Sequence, residues 1–259
     1  MNAPKKNPLP EASAWRVEFV RLIAFPDSPA VLRDQTWWKD LTGDEPEDCV
    51  RKKDRRDDRG GFQGAWLTLS VDFQRVIWEA RPPAVVDESG NFPTFDGPIR
   101  DKLEWFAALL DPWLKTSCPP LLRLAFSAKL LQPAATAKDA YRVLAAHLPM
   151  VTLDPPPNDF LLQINRRKEN SDIVDGLPIN RLSTWSRMNV AIVNETGKTF
   201  TWPDRCYAAL ELDINTAPER TGILPRDSIP RLFKELALLG IDIAEHGDNV
   251  ETAECGDSP

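Results

Sequence analysis

The sequence predicts an α+β fold, mainly antiparallel sheet with helices packed on one face. Three observations lead there. Several segments alternate apolar and polar residues with period two, as strands with one buried face do. Three others repeat apolar residues every three or four positions, the spacing of amphipathic helices. Short stretches rich in Gly, Asn, Asp and Pro separate the strand-like runs, which favours hairpins over parallel crossovers. With 42% hydrophobic residues and 12 glycines in 259, the chain can bury a sizeable core.

Residues 1–14 read as a flexible tail, and Trp15 to Phe25 (WRVEFVRLIAF) as a strand that Pro26 stops. Asp34 to Gly61 has little apolar content and reads as a solvated loop. Leu67, Leu69 and Val71 alternate with polar neighbours, and Arg75 to Ala80 resumes strand composition, so the pair predicts a hairpin. After proline-rich residues 82–98, the series Ile99, Leu103, Phe106, Leu110 and Trp113 predicts a helix that Pro112 should end or kink. Leu122 to Leu130 reads as a strand, and Thr136 with Asp139 three residues on starts a short helix over 137–147.

Asp154-Pro-Pro-Pro157 is a stiff connector that divides residues 15–153 from residues 154–247. Beyond it, Phe160 to Arg166, Leu182 to Val193 and Tyr207 to Ile214 read as antiparallel strands. A last helix, capped by Asp227 or Ser228, carries Leu232, Leu236, Leu239 and Ile243 on one stripe and exits at Gly247. Residues 248–259 form an acidic tail. Each half thus holds strands followed by a helix, a repeating β-β-β-α order, and Leu69, Phe126, Leu212 and Leu236 are the expected core.

The formal charge of −7 argues against a chain built to coat nucleic acid or an anionic membrane. No run reaches the roughly 18 apolar residues that span a bilayer, and the first residues lack the apolar middle of a secretory signal. A cytoplasmic protein is expected. Cys49, Cys118, Cys206 and Cys255 form no Cys-x-x-Cys and read as free thiols.

Chemistry-bearing motifs are scarce. There is no Gly-x-Ser-x-Gly elbow, Walker loop, dinucleotide glycine fingerprint or His-Glu-x-x-His pair, so no catalytic residue, metal or cofactor is assigned. His147 and His246 each fall in the last turn of a predicted helix, where a cation complements the helix dipole. Glu211 and Asp213 share one strand face and could serve one metal, or could be a solvated sheet face. Asn165, Arg166, Arg181 and Arg187 cluster on the C-terminal sheet. Forked arginines hold a carboxylate or phosphate, so three readings stand: internal salt bridges, an anion or nucleotide site, or contact with a partner protein. Between residues 44 and 59 acids outnumber bases by one, unlike a phosphate-tracking arm. Trp37 and Trp38, taken as adjacent strand residues, would face opposite sides and leave one for a partner.

The segment Phe160-Leu-Leu-Gln-Ile-Asn-Arg166, followed by a long strand and by Ala209-Leu-Glu-Leu-Asp213, resembles a sporadically distributed family of uncharacterised bacterial proteins, in which a strand ending Ile-Asn-Arg sits in a similar place. Gln163 stands where that family has an aromatic residue. The resemblance spans about the last 100 residues, matches Ile164-Asn165-Arg166, and implies a two-part α+β fold in a prokaryotic setting. Together with the missing catalytic motifs it yields the expectation of a non-enzymatic interaction or accessory subunit of a multi-component, defence-type system. The alternative is a metal-dependent hydrolase or an anion- or nucleotide-binding protein using the polar face of the C-terminal sheet.

Overall fold

The computed structural model describes residues 15–28, 36–83, 92–153, 157–193, 199–220 and 222–248. Among the described residues nine strands form one antiparallel sheet: β1 (Arg16–Pro26), β2 (Asp48–Lys52), β3 (Arg55–Phe62), β4 (Ala65–Asp72), β5 (Val76–Arg81), β6 (Leu121–Ala134), β7 (Leu161–Asn165), β8 (Ile179–Val193) and β9 (Thr199–Thr216). Their order across the sheet is β2-β3-β4-β5-β1-β6-β9-β8-β7. The helices are α1 (Trp37–Thr42), α2 (Ile99–Thr116), α3 (Ala137–His147) and α4 (Ile229–His246).

Strands from both sides of the proline connector join this sheet, because β6 pairs with β1 on one side and with β9 on the other. They also share one hydrophobic core. Residues 154–156 of the connector, the expected tail 1–14 and residues 249–259 lie outside the described residues.

All four helices cover the same face of the sheet. In β4, Leu67, Leu69 and Val71 turn inward, and in β5 Val76, Trp78 and Ala80 do the same. Trp38 of α1 stacks on Trp78, and Trp37 meets Trp113 of α2 edge-on. Gly240 of α4 lies against Phe126 of β6 and Leu212 of β9. The four expected core residues, three leucines and a phenylalanine, are buried: Leu69, Phe126, Leu212 and Leu236.

Four expectations need correction. The stretch read as a solvated loop over 34–61 contains α1, β2 and β3, because its charges neutralise one another at two-residue spacing. Arg55 donates to Asp57 at 2.8 Å and Arg56 to Asp58 at 2.9 Å, which lets both aspartates be buried inside a strand. Pro112 does not end α2, which continues to Thr116. Trp113 and Leu114 are buried, and tertiary packing there outweighs the lost backbone bond. His147 is no cationic cap. It is fully buried between Trp15 and Trp185, and burial pushes its pKa down to about 4, so the ring is neutral. Asp248, placed at the start of the acidic tail, is buried and ion-paired to Arg166.

Candidate functional site: the uncovered face of the sheet

The alternate residues of the same strands form a second face, on which no described helix packs. Antiparallel sheets tolerate this when the outward positions are polar. Reading across the strands, Arg81, Phe19, Lys129, Glu211 and Thr184 make one row, and Arg59, Thr68, Glu79, Arg21, Ser127 and Asp213 make the next.

The centre is organised by an irregularity in β1. The register against β6 shifts between Val17 and Phe19, so Glu18 is the extra residue of a bulge and turns toward this face. Lys129 Nζ stands 3.0 Å from Glu18 and 3.7 Å from Glu211, while Arg81 reaches Glu18 at 3.6 Å. Glu79 accepts from Arg81 at 2.5 Å and from Arg21 on its other side. Both guanidinium groups lie over the Phe19 ring, at 3.9 Å for Arg21 and 5.0 Å for Arg81. Glu18 is nearly buried within this lattice.

Toward β3, Asp57 accepts from Ser70 Oγ at 2.6 Å and from Arg55 Nε at 2.8 Å. Burial raises the Asp57 pKa, but these bonds, with the charges of Arg55 and Arg59, outweigh it and hold the carboxyl below its usual value. Toward β7, the amides form a chain: Asn165 donates to Asn180 at 3.3 Å, Asn180 to Asn215 at 3.2 Å, and Asn215 to Asp213 at 3.0 Å. Arg123 donates to Asn215 at 3.3 Å and stacks over Phe25 at 4.8 Å. Trp66 of β4, 36% exposed, lies opposite Arg81 on this face. At one end the face is covered, where Phe92 and Met188 pack on Leu131, Tyr207 and Ala209.

The candidate binding residues therefore divide between two faces. Asn165, Glu211 and Asp213 lie on the uncovered side. Arg166, Arg181 and Arg187 lie on the helix side, and each has an internal partner. Arg166 makes a bidentate pair with Asp248 at 3.0 and 2.7 Å, and Arg181 pairs with Asp242 of α4 at 2.9 Å. Arg187 donates to the Asn158 carbonyl at 2.8 Å and lies over the Tyr141 ring. They do not converge on one external anion. Trp37 and Trp38 are each only 3% exposed, so the expected partner contact is overturned: they sit on a helix whose two neighbouring positions both face the core.

Glu211 and Asp213 lack a third ligand: among the described residues no three His, Cys, Asp or Glu side chains are grouped as a metal site. Of the described cysteines, Cys49 is exposed and the other two are buried. Cys118 is buried and its thiol is pushed up to about 12 by desolvation, while Cys206 is buried and also raised.

Sequence reasoning missed Glu18, Arg21, Glu79, Arg81 and Lys129. Each is a charged residue inside an otherwise apolar strand, a signal that was present, but which of them meet depends on strand order and on the bulge at Glu18. No family model, curated protein or solved structure matches the chain. No described helix is long and apolar enough to cross a membrane.

Proposed function

We propose that this protein is a binding module, an accessory subunit that holds a partner protein against the uncovered face of its sheet. The observation that carries this reading is the one-sided build of the sheet, with every described helix on one face and a lattice of ion-paired side chains on the other. Those side chains are already fixed by their neighbours, so a partner would order few of them on binding, which lowers the entropic cost of association. Acids and bases alternate across the face. A polyanion would meet Glu18, Glu79 and Glu211 beside Arg21, Arg81 and Lys129, whereas a protein of mixed charge can match both signs. Trp66 supplies an exposed aromatic of the type enriched at interfaces.

Recovery of the tagged full chain from its native host tests this. The wild type is expected to bring down one stoichiometric protein, and Ser127→Arg, in the middle of the face, is expected to lose it at an unchanged melting temperature. Recovery of the wild type alone, or retention of the partner by Ser127→Arg, overturns the reading.

A further inference from the structure

The two edges of the sheet are guarded unequally. β2 closes one side as a short strand carrying Asp48, Arg51 and Lys52, a form that resists the addition of another strand. β7 closes the other side with Leu161-Leu162-Gln163-Ile164-Asn165, which has no charge, and Leu161 is 72% exposed. Pairing with β8 keeps one register from Leu161 opposite Ser186 to Lys168 opposite Ile179. The Arg166 N–H donates to Arg181 O, and Lys168 and Ile179 exchange both backbone bonds, so the even-numbered residues turn inward. By the alternation of an antiparallel ladder, the N–H and C=O groups of Leu161, Gln163 and Asn165 point outward. Among the described residues no strand stands beyond them.

We propose that a second copy of this chain adds to this edge, β7 against β7, antiparallel about a two-fold axis at Gln163. Three features select a copy over a foreign peptide. First, the outward backbone groups are symmetric about Gln163: Leu161 meets Asn165 of the other copy, Gln163 meets its equivalent, and every donor finds an acceptor. Second, the same register sets Leu162 opposite Ile164 on the helix side, where both are only partly buried in the isolated chain. Third, beyond the strand it sets Arg167, which within its own chain reaches Glu219 at 3.1 Å, opposite the exposed Asp159 at both ends, two contacts between opposite charges. The axis stands perpendicular to the sheet. Both uncovered faces then lie side by side on one surface, so a partner with two binding segments could engage them together.

Sedimentation of the purified full chain over a range of concentrations tests this without any partner, so its failure would leave the reading of the uncovered face standing. The wild type is expected to reach twice the chain mass, with the amides of Leu161, Gln163 and Asn165 gaining exchange protection as concentration rises. Gln163→Lys sets like charges across the axis and is expected to weaken association roughly fivefold or more. Asp159→Arg and Arg167→Asp are each expected to weaken it, and their combination to restore it. Asp159→Arg alters only an exposed side chain, so it reads the contact even if Gln163→Lys fails to fold. Val50→Lys, on the opposite edge, is expected to change nothing. A monomer at every concentration overturns the proposal. So does association that the β7-edge charge changes leave intact, or that Val50→Lys weakens equally.

Discussion

The imidazole of His147 stacks on the indole of Trp185, with ring centroids 5.6 Å apart and planes inclined at 25°. Trp15 closes the other side at 5.4 Å, and neither ring nitrogen has a hydrogen-bond partner. Folded, this histidine gains a proton only near pH 4, whereas in the unfolded chain it does so near 6.5. Between those values the unfolded state binds more protons, so stability is full above about pH 6.5 and falls as pH drops toward 4, by an amount on the order of 3 kcal/mol. Urea titrations at several pH values should show this slope in the wild type and a flatter one in His147→Leu. An equal slope in both would place the acid sensitivity elsewhere.

Glu235 is the buried acid of α4. It accepts from Lys168 Nζ at 2.9 Å, from the Asp172 N–H at 2.8 Å and from Ser171 Oγ, tying residues 168–172 to the helix. Burial works against the Lys168 charge, but the bonds it donates to Asp172 and Glu235 prevail and raise its pKa. Glu235→Ala removes all three acceptor contacts and is expected to cost about 3–5 kcal/mol in chemical denaturation, with Glu235→Gln losing less. Equal stability for Glu235→Ala and wild type would refute that role.

Gly240 lies in α4 where an added Cβ would stand 2.9 Å from Phe126 Cε1 and 3.4 Å from Leu212 Cδ1. Alanine is the better helix former by about 1 kcal/mol, yet overpacking of this kind costs about 1–3 kcal/mol, so Gly240→Ala should destabilise. Leu212→Ala alone should cost about 2–5 kcal/mol. Because the two sites touch, the double variant should lose less than the two singles together. Simple additivity in thermal melts would show that the helix and sheet meet differently.

Arg166 is half exposed and Asp248 is not, so most of the effect of breaking this pair is the carboxylate left behind. Discounted for solvent on the arginine side, Arg166→Ala is expected to lower stability by about 1–2 kcal/mol. Phosphate, nucleotides and citrate are expected to leave the wild-type melting temperature unmoved. A ligand-dependent rise in the wild type that Arg166→Ala abolishes would restore the anion-site reading.

Local pattern alone was enough for the main elements. The spacing from Ile99 to Trp113 and from Leu232 to Ile243 marks two helices, Thr136 accepts from the Asp139 N–H at the start of α3, and the alternation around Leu69, Phe126 and Leu212 marks strands with one buried side. These signals are legible because they arise within a few neighbouring residues. What depended on distant neighbours was not. Arg55 to Arg59 looks like solvated loop until β2 and β4 flank it and its arginines neutralise its aspartates. Likewise, Arg166 and Glu211 seem to share a polar face until the register puts one toward α4 and the other on the uncovered side. Strand order, the bulge at Glu18 and the burial of His147 are set by contacts between residues far apart in the chain. Composition and periodicity carry no record of which strands will meet, so only the tertiary structure decided which charges became a surface and which became struts.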